Sequence, residues 1–316
     1  MKKIFVYFTI LLLSQNAFSI TKIALSKNMS DISYASLFEN ENYEFQYCND
    51  SQEAAKALMD GYCDASIFSL PAAVQIHELS DKRIVCAAVT QDTSFYCVSS
   101  DKNCRVISDL LGKRISSASG GLQEAMVTSV FEKCDIPIER GRGGVTIEWD
   151  ENYSIPLSQL IQGKSSFAIL TEPAVTTALK HNRLHIVVDF KNELEAIEGR
   201  KIVFPGAVLM VRKDYLSEKA DEAQKFFSDM EESSRFLNEN PSKAAFVINR
   251  NTKLFKTALL SNVIKKSGYV YLNDKKTQED LFYVCSIYNS VYRKKLKDEI
   301  KEIKISHEFF NNELVP

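Results

Sequence analysis

The sequence predicts an α/β protein of two lobes, and three observations carry that prediction. Short β-type runs alternate with longer segments of helical period. About 297 residues remain after a leader of nineteen, enough for two domains at ~100 to 200 residues each. No linker rich in Pro, Gly or Ser divides them and no repeat of fixed period is evident, so the chain is expected to cross between lobes more than once, near Gln91 to Phe95 and near Lys201 to Pro205. The expected division is a leader at 1–19, one lobe from 20–95 plus 203–316 that carries the carboxy-terminal helices, and a second lobe from 96–202.

The strands read in order as Thr21 to Leu25, Glu44 to Cys48, Ala65 to Phe68, Ile84 to Thr90, Phe95 to Ser99, Arg114 to Ser117, Val145 to Glu148, Phe167 to Leu170, His185 to Val188 and Ala207 to Arg212. Each is a short run rich in β-branched or aromatic residues with helical segments between, the pattern of mainly parallel sheets. Ser51 to Asp60 opens with a capping-type Ser and carries Ala54, Ala55, Leu58 and Met59 on one side. Gln123 to Cys134 and Ile155 to Gln162 have the same period. After Lys213 the character changes to long, charged amphipathic helices at Lys219 to Asn238, Pro241 to Arg250, Lys253 to Lys266 and Thr277 to Glu302.

The leader reads as a secretory signal. Lys2 and Lys3 form the positive end, Ile4 to Leu13 the apolar run, and Ala17-Phe18-Ser19 a small-x-small cleavage site. The apolar run is shorter than the ~20 residues a bilayer span needs. Cleavage is expected near Ser19/Ile20, with a periplasmic mature protein. The first Cys is Cys48, so no cysteine stands at the cleavage site to carry a lipid anchor.

The formal charge is −2, or −4 without Lys2 and Lys3, which makes no electrostatic case for nucleic acid or an anionic membrane. Small molecules and proteins are the expected partners. The seven cysteines (48, 63, 86, 97, 104, 134, 285) are an odd number and contain no CxxC, so zinc and thioredoxin chemistry have no signature. Cys86, Cys97 and Cys104 are near enough in sequence for one local bridge, or strand alternation buries all three as small apolar residues.

Three segments bear on function. Ile115-Ser-Ser-Ala-Ser-Gly-Gly-Leu-Gln-Glu124 runs from a strand through small residues into a helix, where glycines let a ligand approach and free N–H groups attract an anion or a polar oxygen. A plain capped βα turn is the structural alternative. Phe167-Ala-Ile-Leu-Thr-Glu-Pro-Ala174 puts Thr171 and Glu172 directly after a strand, where side chains face a cleft in open α/β sheets; a helix cap is again the alternative. Ala65-Ser-Ile-Phe-Ser-Leu-Pro-Ala72 repeats that layout, so two equivalent turns are placed to face each other. His181 and His185 lose their i,i+4 relation where Asn182-Arg183 ends a helix, so no metal site is expected. Arg140-Gly-Arg-Gly-Gly144 has no P-loop Lys-Ser/Thr and reads as a loop. No G-x-S-x-G elbow or nucleophile–base setting appears, and no catalytic residue, cofactor or metal is expected.

Taken together the chain resembles the nitrate/sulfonate/taurine-type substrate-binding proteins of ABC importers, the SsuA/THI5-like (NMT1-like) group. The likeness rests on Asp60-Gly-Tyr-Cys-Asp-Ala-Ser-Ile-Phe68 with Leu70-Pro71, Ser108-Asp-Leu-Leu-Gly-Lys-Arg-Ile115 with Ser119-Gly120, and Phe167 to Pro173. Gly206-Ala-Val-Leu-Met-Val-Arg212, Asn238-Glu-Asn-Pro-Ser-Lys-Ala-Ala245 and a closing Ile305-Ser-His-Glu-Phe-Phe310 extend it over nearly all of the mature chain. The resemblance implies a type II periplasmic-binding fold, with two α/β lobes, helices on both faces of the sheets and a hinge of two strands. It also implies ligand in the cleft, closure on binding, and a monomer that delivers its solute to permease subunits in the inner membrane. By position, the cleft residues would be Ser26, Asn28, Met29, Ser69, Leu70, Thr90, Ser119, Gly120, Gly121, Thr171 and Glu172. Relatives carry a glycine-rich turn where this chain has Ser26-Lys-Asn-Met-Ser30, and no Arg stands among the candidate cleft residues to hold an oxyanion, which favours a neutral, aromatic or amine-bearing solute. The rival readings are an enzyme on the same fold, of the pyrimidine-precursor or menaquinone-pathway type, and a sensor subunit that presents its ligand to a membrane receptor.

Overall fold

A computed structural model describes residues 19–139, 143–253, 257–295 and 302–311. Most of the expected leader lies outside these, as does Arg140–Arg142 of the glycine loop. The strands are β1 Thr21–Leu25, β2 Tyr43–Tyr47, β3 Ala65–Phe68, β4 Ile84–Asp92, β5 Tyr96–Ser99, β6 Arg114–Ala118, β7 Thr146–Asp150, β8 Phe167–Leu170, β9 His185–Asp189, β10 Pro205–Arg212 and β11 Tyr269–Leu272. The helices are α1 Ser51–Met59, α2 Leu70–Leu79, α3 Gly121–Lys133, α4 Ile155–Gln162, α5 Ala174–Ala178, α6 Phe190–Glu198, α7 Lys213–Glu218, α8 Ala220–Glu239, α9 Pro241–Thr252, α10 Thr257–Ile264 and α11 Lys275–Lys295. Asp50, rather than Ser51, caps α1, its carboxylate accepting the amides of Gln52 and Glu53 at 2.9 Å.

Two sheets form, ordered β11-β4-β10-β3-β1-β2 and β7-β6-β8-β5-β9. They are mixed rather than mainly parallel. β1 pairs in parallel with β2 and β3, and β6 with β7 and β8, whereas β10, β11 and β5 all pair antiparallel. The reason is the path of the chain. β5 and β10 each follow a sheet crossing, so they enter their new sheet at the edge where its parallel strands end and must run against them. β11, at the first sheet's edge, was not expected at all. Its Tyr-Val-Tyr-Leu run is short and sits between helices, and it becomes a strand by pairing with β4.

Apolar residues cover both faces of the first sheet. Ile23, Leu25, Ile67 and Leu209 pack against Phe226, Phe227 and Met230 of α8. The largest cluster starts on the other face with Ala24, Phe68 and Met210, passes through Phe95 and Phe204, and continues to Ile115, Val127 and Phe131 in the second sheet's half. The rings of Phe95 and Phe204 meet edge-on at 5.7 Å, so apolar packing runs through both crossings. The crossings are also hydrogen-bonded to each other: the Thr93 amide donates to the Phe204 carbonyl, and the Phe204 amide to Asp92 Oδ1, both at 2.8 Å.

The carboxy-terminal helices do not all stay with the first sheet, contrary to the expected division. α8 to α10 do, but α11 lies along α3 of the second. The Tyr292 hydroxyl reaches Glu124 Oε2 at 3.3 Å, and fully buried Asp280 accepts the Val203 amide at 2.8 Å as well as the Arg200 guanidinium. The segment after it returns, and Phe309 and Phe310 dock beside His77 and Cys86 of the first sheet's layer. All seven cysteines are free, six of them buried, so the local bridge does not form. Cys86 and Cys97 stand on strands of different sheets, and Cys104 turns its thiol toward Asp101 and the Asp109 carbonyl.

Candidate functional site

The strand registers bring the expected site segments together. Ile23 pairs with Ala65, so the loop after β1 and the turn after β3 leave the first sheet side by side. Val208 of β10 pairs with both Phe68 and Val89, which sets Thr90 level with Ser69. In the second sheet Ser117 pairs with Ile169, so the turn from Ser119 and the turn from Thr171 are neighbours. This second edge faces the crossing: the Thr171 hydroxyl donates to the Ser94 carbonyl at 3.2 Å. The carboxyl ends of the parallel strands of both sheets thus converge on the crossings, where open α/β sheets hold ligands.

On the first edge, Ser26 is buried and accepts from Asn28 Nδ2 at 2.5 Å. Asn28 caps the 3-10 helix Met29–Tyr34, its Oδ1 taking the Ser30 amide at 2.9 Å, while its own amide donates to Asp31 Oδ2 at 3.2 Å. The Met29 carbonyl accepts the Tyr269 hydroxyl at 3.0 Å. Ser69 is exposed at the start of α2 and makes no side-chain cap. Leu70 does not line the cleft; its side chain is fully enclosed in the main apolar cluster, because the first turn of α2 lies on the sheet. Thr90 is also fully buried, and its hydroxyl has no partner.

On the second edge, Ser119 donates its amide to the Asp150 carbonyl at 2.8 Å. Gly120 has φ +81° and ψ 169°, a region open in practice only to glycine, and a Cβ there would meet nothing within 4 Å. Backbone conformation, not crowding, requires that glycine. Its amide is not free for a ligand, since it donates to Glu124 Oε2 at 2.6 Å. The start of α3 therefore already holds a carboxylate from its own first turn, which occupies one of the donors expected to meet an anion or a polar oxygen. The Gly121 carbonyl accepts from Tyr292 at 3.4 Å, and the Tyr153 hydroxyl lies 3.7 Å from where its Cβ would be.

Glu172 is half-buried and accepts the Thr176 amide at 3.1 Å. Burial pushes its carboxyl up, opposed by Thr176 and by the charge of Lys266. Asp31, which sequence reasoning did not select, is 2% exposed, and desolvation raises its carboxyl to about 6 against hydrogen bonds from the Ser26–Asn28 loop. Burial first, and then the charges of Asp31 and Glu172, raise the Tyr269 hydroxyl on β11. Asp31 carries no sequence signal beyond a capping-box position three residues after Asn28. Tyr269 was hidden with its unrecognised strand, and Glu124 stood in the quoted α3 segment without a role. His185 begins β9 with Nε2 at 3.1 Å from the Cys104 carbonyl, and no cluster of three metal-ligating side chains occurs among the described residues.

Comparison with known proteins bears on this arrangement. The NMT1/THI5-like family model matches residues 42–244. An ABC transporter from Parabacteroides distasonis has a TM-score of 0.73 at 13% identity, covering 92% of this chain and 98% of its own. The periplasmic aliphatic sulphonate binding protein SsuA from Escherichia coli reaches 0.66 at 11% identity, covering 88% of each chain. The alkanesulfonate-binding protein SsuA from Xanthomonas axonopodis pv. citri, bound to MOPS, reaches 0.57 at 12% identity over 88% and 94%. No curated protein matches. At these identities the solved structures speak for the fold, which is that of type II periplasmic binding proteins.

Proposed function

The chain belongs to the NMT1/THI5-like family, and from that premise we propose that it is an extracytoplasmic solute-binding protein that captures a small organic molecule between two lobes and delivers it to an ABC importer. The observation that carries this reading is the convergence of both sheets' strand ends on a pair of mutually bonded crossings. The moving units in this reading are 20–95 with 203–316 and 96–202, less α11, which travels with the second sheet. The crossings near Thr93 and Phe204 are the hinge. A closed cleft is what the permease subunits would recognise, and a secreted monomer of this kind needs no cofactor.

Native mass spectrometry of the protein recovered from the periplasm tests the reading. The expected result is a chain beginning near Ile20 that carries one non-covalent adduct of small-molecule mass, released unchanged on denaturation. A chain with Met1 intact in the cytoplasm, or one that converts the adduct to another compound, overturns it.

A further inference from the structure

We propose that the cleft takes a solute bearing a protonated amine, bound by Asp31 from the first sheet's edge and by Glu172 from the second; this rests on the solute-binding reading above. Asp31 is the sharper of the two groups. The Ser26–Asn28 loop hydrogen-bonds its carboxyl, with the Asn28 amide on Oδ2, while Oδ1 is buried with no partner among the described residues. Burial first, and then its charge, raise Tyr34, Tyr47, Cys48 and Tyr269, and among the described residues no lysine or arginine forms an ion pair with it. A buried carboxylate without a counter-ion is costly unless a charge arrives to pair with it.

Further unpartnered polar atoms lie on the first sheet's side, where Thr90 Oγ1 and Tyr34 OH are buried and unbonded among the described residues. Glu172 is held by the amide and the hydroxyl of Thr176 and feels the charge of Lys266, so it is the weaker partner of the two. Oxygen acceptors of this kind suit the several N–H donors of an ammonium. An anionic solute meets less favourable conditions, because the Glu124 carboxylate already sits at the start of α3, where it accepts the Gly120 amide. Tyr153 and Tyr292, beside Gly121 in the neighbouring turn, add aromatic surface for the rest of such a solute.

The test uses two probes of one size and opposite charge, benzylamine and benzenesulfonate, in calorimetric titrations of the full mature chain stripped of solute. Wild-type protein is expected to bind benzylamine and not benzenesulfonate, with at least tenfold weaker amine binding in Asp31→Asn and a smaller loss in Glu172→Gln. Denaturation of each variant shows that it is folded. Preference for the sulfonate, or unchanged amine affinity in folded Asp31→Asn, overturns the proposal while leaving solute binding intact. If neither probe binds, the native adduct decides. An adduct carrying an amine supports the proposal, and a neutral or anionic one overturns it. A chain with neither adduct nor probe binding overturns both readings together.

Discussion

At the scale of single residues, Asp31 is a group held in the folded chain at a cost. Its carboxyl titrates at about 6 instead of 3.8, and the first cause is desolvation. A raised folded value means that the protein is favoured with Asp31 neutral. That stability is complete below about pH 4 and is lost as pH rises through 6. Two units correspond to about 3 kcal/mol. Asp31→Asn in solute-free protein is therefore expected to equal wild type near pH 4 and to exceed it by up to about 3 kcal/mol at pH 8, read from urea unfolding at both values. Equal stability at both would mean that the fold already compensates the charge. A variant that is more stable but binds less is the usual sign of a residue kept for binding.

Among the elements, α11 decides how the two halves are joined. Asp280 on this helix is fully buried and accepts from Arg200 and from the Val203 amide beside the second crossing. Truncating it strands the part-buried Val203 amide and leaves the half-exposed Arg200 to be solvated by water, so Asp280→Ala should cost about 1–3 kcal/mol in chemical unfolding. Asp280→Asn, which keeps an acceptor for Val203, should cost less. No difference between the two variants would show that the carboxylate does not tie α11 to the crossing. The amphipathic period of 277–302 announces a helix here, but not the surface it covers. A charged helix with one apolar stripe reads the same whether it lies on the first sheet or along α3.

For the whole molecule, closure about the two crossings is the expected motion. Solute-loaded protein should show a smaller radius of gyration by small-angle scattering than the stripped protein, with unchanged far-ultraviolet dichroism. Identical scattering curves would count against lobe movement. Because apolar packing runs through Phe95 and Phe204, their rings are expected to stay in contact while the backbone of the crossings bends around them.

The sequence alone determined most of the elements and the order in which they come. Ten of the strands were visible because alternation of short β-branched runs with helical periods is a local property, and the turns after β1, β3, β6 and β8 were visible because small residues and proline mark strand ends. Tertiary structure alone decided three things. The direction of β5 and β10 depends on which edge the chain crosses, β11 exists only because β4 offers it a partner, and the ionisation of Asp31 depends on what surrounds it. Pairing partners, helix docking and desolvation are set by residues far apart in the chain, and no local pattern of residues encodes them.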